Sequence, residues 1–201
     1  MKKEAFVVGI SGGSGSGKTY LARWLAQSLA PHAVLFSEDW YYYDKSNPKP
    51  GEVLNFDHPR SIENSFMVRQ LKKLMKGKMI EAPQYEYLTH KRLDRTHSVL
   101  PQKIIIVEGL FVFHFANVFK CLDLSIFIDV PADLRLSRRI QRDLAENRNS
   151  IKDTLNMYLD NVRPMHEKFI QPAYKNASLV WDQMGDPRFP NRLLKDLKKK
   201  I

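Results

Sequence analysis

The chain has 201 residues, 43% of them hydrophobic and 27% charged, with a single cysteine. That length fits one domain around one core, and the composition excludes a disordered, fibrous or disulfide-stapled protein. The formal net charge of +10, from 32 Lys and Arg against 22 Asp and Glu, favours an anionic partner without choosing between a polynucleotide and a small phosphate. No apolar stretch approaches the length of a membrane span, and residues 5–10 are too short for the apolar region of a signal peptide. The protein is therefore expected in the cytoplasm, with no membrane partner. Cys121 has no second cysteine with which to form a disulfide or a zinc site and reads as a small buried hydrophobe.

The first apolar run, 6–10, lacks a helical period and reads as a buried strand. A glycine-rich turn follows, then a helical pattern over 19–29 that stops at Pro31. Residues 34–36 form a second strand, which runs into the acid-aromatic stretch FSEDWYYYD, Phe36 to Asp44. A helix is predicted over 62–75, with Ser61 as its capping residue and Gly77 near its end. Between 78 and 100 two short extended pieces flank YLTHKRLD, a pattern that predicts a hairpin-like insertion outside the main sheet.

Strands are predicted again at 104–107 and 125–130. Pro131 marks the start of a helix over 132–146, whose arginines Arg135, Arg138, Arg139 and Arg142 concentrate positive charge. The helical pattern over 151–169 contains Pro164, which is expected to kink or break it, and 179–181 is the last strand. Leu193, Leu194, Leu197 and Ile201 fall near one helical face, predicting an amphipathic helix docked on the domain with Lys195, Lys198, Lys199 and Lys200 solvated. Alternation of this kind predicts an α/β fold, a parallel sheet with helices on both faces.

The chemistry begins at GGSGSGKT: Gly12, Gly13, Ser14, Gly15, Ser16, Gly17, Lys18 and Thr19 satisfy G-x-x-x-x-G-K-[ST] between a strand and a helix. Glycines let successive backbone N–H groups converge on phosphate oxygens, and the helix N-terminus adds a favourable dipole. Lys18 is placed to reach the β- and γ-phosphates of ATP and the Thr19 hydroxyl to ligate Mg²⁺. Glu108, ending the apolar run IIIVEG, stands where P-loop proteins commonly hold the Mg²⁺ shell, with capping of the next segment as the lesser alternative. No [NT]-K-x-D occurs, which argues against a GTPase of the translational type, and the chain is short for a motor or helicase. A compact kinase remains. In-line transfer then needs a carboxylate near the acceptor hydroxyl, and Asp39, just beyond the second strand, is the candidate base, with Glu38 as competitor.

With these residues the chain resembles the uridine/cytidine kinases of the phosphoribulokinase and uridine kinase group, over nearly its whole length. GISGGSGSGKT resembles that group's phosphate loop, SEDWYY its catalytic-Asp segment, NFDHP (55–59) its ribose-contacting turn and YEYLTH (85–90) its base-contacting hairpin. VEG resembles its metal-side acid and DLRLSRRIQRD (133–143) its arginine-bearing lid helix. The resemblance implies one P-loop NTPase-type kinase domain spanning 1–201, with a hairpin insertion at 78–100 and a lid at 132–150. It makes Asp39 the general base, Tyr42 a lining residue beside the acceptor and Asp57 the acceptor of ribose hydroxyl protons. It turns Tyr85 and His90 toward the nucleobase with Tyr87 packed against it, and brings Arg139 and Arg142 across to the substrate and the transferring phosphates. Arg135 and Arg138 are left as solvated face.

Departures from the group's pattern fall on the lid and beyond it. Its Glu-Arg-Gly-Arg-like turn is ENRN here, so arginines align with Asn147 and Asn149; a glutamine aligns with Met157; and a glycine-rich basic loop is replaced by DQMGDPR. The resemblance implies ATP and Mg²⁺ as donor and cofactor, a nucleoside 5′-hydroxyl as acceptor, uridine or cytidine first among them, no nucleic-acid partner, and a homo-oligomer. The alternative is another small hydroxyl substrate, such as a different nucleoside or a sugar phosphate. A nucleic-acid-associated ATPase and a nucleotide-binding module without kinase activity are the rivals from other classes.

Overall fold

The computed structural model describes residues 5–44 and 55–201. At its centre is a five-stranded sheet in the order β2-β5-β1-β6-β7, with every pairing parallel. The strands are β1 (Phe6–Gly12), β2 (Ala33–Ser37), β5 (Ile104–Glu108), β6 (Leu124–Asp129) and β7 (Leu179–Asp182). Between β2 and β5 the chain leaves the sheet to form the hairpin β3 (Ile80–Glu86) and β4 (Lys91–Val99).

The central strands β1, β5 and β6 are buried on both faces, which is why they read as unbroken apolar runs, while the edge strand β7 is largely exposed. Successive side chains alternate between two cores, as the pleat requires. Val7, Ile105 and Val107 join the core that contains α2 (Asn64–Leu74) and the base of the hairpin. Val8, Ile10, Ile104 and Ile106 point the other way, against α1 (Lys18–Ser28) and the C-terminal helix. Cys121 is buried in the first core, as its isolation implied. Among the described residues no helix is long and apolar enough to cross a membrane.

Because the pairing is parallel, β1, β2 and β5 all end at one edge. Gly12, Ser37 and Glu108 therefore arrive together, and the loops that follow them share the crevice where open α/β sheets bind ligands. After β5 comes the short α3 (Ala116–Phe119), and β6 leads into α4 (Ala132–Ala145).

The predicted elements occur with ends shifted by one or two residues, and two local expectations are corrected. Ser61 does not cap α2: it lies in a 3-10 turn, Pro59–Ser61, and its hydroxyl donates to the His58 carbonyl at 2.7 Å, while α2 begins at Asn64 behind Glu63. A β-bridge between Tyr42 and Ile62 extends the chain through 62, so the helix cannot start there. Pro164 does not break its helix. The path runs from α5 (Ile151–Met157) through a π-helical turn, Tyr158–Val162, into α6 (Arg163–Met165) and a second π turn, His166–Ile170. Proline lacks an N–H and its ring collides with the carbonyl four residues back; a wider turn on each side relieves both problems.

The last helix, α7 (Phe189–Lys198), buries Phe189, Leu193 and Leu197 in the second core and leaves Lys195, Lys198, Lys199 and Lys200 exposed. Ile201 lies beyond its end and is exposed.

Candidate active site

One cavity of about 470 Å³ opens at the carboxyl edge of the sheet, and the phosphate loop forms its floor. The loop is pressed against α4. At Gly15, φ is +80° and an added Cβ would stand 2.3 Å from the Arg135 carbonyl oxygen; at Gly13 it would stand 2.5 Å from the Arg135 guanidinium. Only glycine combines that backbone conformation with that closeness. Arg135 is thus buried, its Nε donating to the Val130 carbonyl at 3.0 Å, which corrects its reading as solvated face. Burial lowers its pKa from the ordinary arginine value. Arg138 is exposed, and its Nη1 donates to Gln183 at 2.8 Å. Gln183, in the DQMGDPR segment, in turn donates to the Ser16 carbonyl at 2.8 Å, tying that segment to the phosphate loop.

Beside the loop, Glu108 is fully buried and accepts hydrogen bonds from the hydroxyls of Thr19 (2.9 Å) and Ser37 (2.6 Å). Burial pushes its carboxyl above the usual range and the Asp39 charge adds to this, while Lys18 and the two hydroxyls pull the other way. Among the described residues no three His, Cys, Asp or Glu side chains converge as a metal cage. What Thr19 and Glu108 offer is a small set of hard oxygen donors beside a phosphate cradle. That set fits Mg²⁺, which binds through one or two protein groups, phosphates and water rather than through an all-protein shell.

The two competing acids separate clearly. Ser37 accepts from the Asp39 N–H at 3.4 Å and opens a 3-10 turn, Glu38–Tyr41, that sends adjacent residues opposite ways. Glu38 turns inward: it is fully buried, accepts from the Phe111 N–H at 2.9 Å and packs against Gly109, where an added Cβ would stand 2.4 Å from its own. Burial raises its pKa to about 8, so it is largely protonated at neutral pH. Asp39 turns outward into the cavity with Lys18, and its carboxylate is the accessible one.

The aromatic stretch divides in the same way. Tyr41 is buried, stacks on Phe36 and donates to Gln70 at 2.7 Å; Trp40 meets His97 of the hairpin edge-on at 4.6 Å. Tyr42 lines the cavity, its ring 5.2 Å from Tyr85 and 5.6 Å from Phe56. Burial, with Asp39 next to it, holds its phenol well above the ordinary range. The hairpin is locked to this stretch by Arg92, which donates to the carbonyls of Tyr41 (3.0 Å) and Tyr42 (2.8 Å) and pairs with Glu63. Nothing in the order of residues announced Arg92, because its partners lie 29 to 51 positions away.

Asp57 faces the cavity from the NFDHP turn. Its N–H donates to the Asn55 side chain at 2.9 Å, and Asn55 Nδ2 donates to Asn161 at 2.9 Å, fixing the turn against the first π-helical segment. Burial raises the Asp57 pKa, opposed by Arg139, Arg142 and Lys18. Arg139 sits 3.9 Å from Asp57 and donates to Ser14 of the phosphate loop at 3.0 Å, so it spans the two halves of the cavity. Arg142 is held by Asp143, 2.8 Å away, and Arg139 Nε lies 3.6 Å from the same acid. Asp143 is almost fully buried and orients both arginines; its place four residues after Arg139 was the sequence signal for this.

Tyr85, Tyr87 and His90 all line the cavity. The Tyr85 hydroxyl lies 3.5 Å from His90 Nδ1, and the His90 ring stacks on Phe56 at 4.5 Å and 13°. His90 adopts φ +55°, the left-handed conformation that turns the hairpin and aims its ring inward. Phe56, inside the NFDHP motif, is the lining residue that reading the motif for its carboxylate passed over. The cavity therefore brings together Lys18, Thr19, Asp39, Tyr42, Asp57 and Arg139 with the hairpin aromatics; Glu108 lies just behind Thr19, and Asn149 and Met157 line the far side.

The sequence profile of the Phosphoribulokinase / Uridine kinase family matches residues 7–189. The chain belongs to this family. It is 39% identical over 186 residues to a protein named uridine kinase from Staphylococcus aureus (strain JH9), covering 91% of this chain and 90% of that one. Two solved structures share the kinase's fold. A putative fructose transport system kinase from Silicibacter sp. TM1040 aligns with a TM-score of 0.75 at 21% identity, over 90% of this chain and 91% of that one. A phosphoribulokinase from Rhodobacter spheroides aligns with 0.63 at 14% identity, over 88% and 69%. The architecture is that of a P-loop kinase, and kinases of this family transfer a phosphoryl group from ATP.

Proposed function

We infer that this kinase transfers the γ-phosphoryl group of ATP to the 5′-hydroxyl of a nucleoside, with uridine or cytidine as the favoured acceptor. The observation that carries this reading is that Asp39, Asp57, Lys18 and the hairpin side chains Tyr85, Tyr87 and His90 all line a single cavity.

In the proposed mechanism, the backbone amides of residues 12–17 and Lys18 cradle the donor phosphates. Thr19 and Glu108 would hold Mg²⁺, which neutralises charge on the transferring phosphates when bound. Asp57 accepts hydrogen bonds from the ribose diol, which a carboxylate can do with both oxygens. That fixes the ribose so that its 5′-hydroxyl lies beside Asp39, which takes the proton as the bond to phosphorus forms. Arg139 and Arg142, held in orientation by Asp143, present planar cations to the equatorial oxygens. Phe56, Tyr85 and His90 enclose the base and exclude water that would otherwise accept the phosphoryl group.

The test is ADP release with Mg-ATP across a panel of ribonucleosides, deoxyribonucleosides, sugar phosphates and simpler alcohols. Turnover is expected with a pyrimidine ribonucleoside, and loss of the 2′-hydroxyl is expected to weaken it because Asp57 is left with an unmatched lone pair. Preference for a sugar phosphate would replace the nucleoside acceptor while leaving the kinase intact.

A further inference from the structure

The turn that closes α4 is ENRN, Glu146 to Asn149, and its single cation is Arg148. Its backbone explains where that cation goes. Asn147 takes φ +51°, a conformation asparagine tolerates better than most residues, and the Arg148 N–H donates to the Asp143 carbonyl at 2.8 Å while Asn147 N–H donates to that of Leu144 at 3.1 Å. This paired closure reverses the chain and lays the Arg148 guanidinium over the Tyr87 ring, 4.6 Å from its centre. Glu146 pairs with the same guanidinium. A cation stacked on a ring and neutralised by an acid is a packing element, and it lies at the rim of the cavity rather than over the phosphate loop.

Tyr87 is the first ring in a connected wall. It meets Tyr85 edge-on at 5.4 Å, and Tyr85 packs on Tyr42 at 5.2 Å and Phe56 at 6.2 Å. Burial holds the Tyr87 phenol above the ordinary range, and Tyr87 also stands close enough to Asp39 for that charge to add to the effect. Whatever fixes Tyr87 therefore fixes the wall and its register with the acid beside the acceptor.

We propose that Arg148 is a positioning residue for the acceptor: it clamps Tyr87 between the turn after α4 and the hairpin, and so holds the aromatic wall in place. This rests on the cavity being the acceptor site, and it assigns the clamp in this chain to the one arginine of a turn whose neighbours, Asn147 and Asn149, carry no charge.

The test combines two readouts. In steady-state kinetics with the acceptor that the panel identifies, Arg148→Ala is expected to raise the acceptor KM about tenfold, the scale of a partly desolvated cation–π contact, with the KM for ATP unchanged. Tyr87→Leu should do the same, the double variant should be no worse than either, and Arg148→Lys should recover part of the loss that Arg148→Gln does not. Additive losses, or equal recovery by Gln and Lys, would overturn the clamp. The second readout needs no acceptor: trypsin cleavage after Arg148 in the unliganded protein should accelerate several-fold in Tyr87→Leu and stay at the wild-type rate in Tyr87→Phe, which keeps the ring. Cleavage at the wild-type rate in both would contradict the proposal even if no nucleoside were phosphorylated, and accelerated cleavage in Tyr87→Leu without nucleoside turnover would sink only the acceptor assignment.

Discussion

The two sides of the cavity are built by different means. The phosphate-loop side is one continuous segment, residues 12–19, shaped by backbone conformation and braced from below by Arg135 and Glu108. The acceptor side is assembled from five separate pieces: the turn after β2, the NFDHP turn, the hairpin, the end of α4 with its closing turn, and Met157 at the end of α5. These are joined by ring contacts, by Arg92 across to the Tyr41 and Tyr42 carbonyls and by Arg139 to Asp57. A site made of backbone is insensitive to side-chain drift and serves any acceptor. A site made of converging side chains can be retuned one residue at a time, and the departures at Asn149 and Met157 both fall on that side.

Substitutions on the two sides should therefore fail differently. The largest effect on the donor side is expected from Lys18→Met: removal of a positioned cation from developing phosphate charge should lower kcat/KM by roughly 100- to 1,000-fold for every acceptor alike. A loss confined to one acceptor would contradict the division. Asp57→Asn should act on one side only. An amide offers a single acceptor oxygen where the carboxylate offers two, so the efficiency with a ribonucleoside should fall about tenfold to 100-fold, the worth of hydrogen bonds to a charged group. ATP binding measured by calorimetry should be unchanged in this variant, and a matching loss of ATP affinity would mean the sides are not separable.

The effect with no bearing on turnover concerns stability, at the residue at the junction. Burial pushes the Glu38 carboxyl from an ordinary 4.5 up to about 8 in the folded protein. A carboxyl with a raised folded pKa binds more protons folded than unfolded, so its contribution to stability is full below the unfolded pKa and is lost as pH rises through the folded one. Thermal or urea unfolding should show stability falling between about pH 5 and pH 8 by no more than about 5 kcal/mol from this group. Glu38→Gln keeps the oxygen that accepts from Phe111 and cannot ionise, so it should flatten that slope; an unchanged slope would remove Glu38 as its source.

What could be read from the residues follows the same division. The phosphate loop was legible in full because its function resides in consecutive residues, and the sheet was legible because burial on both faces leaves unbroken apolar runs. Asp39 over Glu38 was a preference that only geometry could support, since adjacent residues in a 3-10 turn diverge and nothing in their types says which one enters the core. Arg135 was misjudged for a related reason: an arginine on a charged helix looks solvated unless the approach of the phosphate loop is known. Phe56, Arg92 and Asp143 went unnamed because their roles exist only through partners brought in by the fold. Pro164 left the helix continuous but not regular, with π-helical turns on either side of it.

The most direct test of the central claim, that Asp39 faces the acceptor as its base while Lys18 serves the donor, is Asp39→Asn, assayed for ADP release and, separately, for binding of ATP and nucleoside. The amide preserves size and hydrogen bonding but cannot take a proton. Turnover is predicted to fall by about 100- to 10,000-fold, the range of general-base contributions, with both ligands still bound at near wild-type affinity. Near wild-type turnover in this variant would contradict the account.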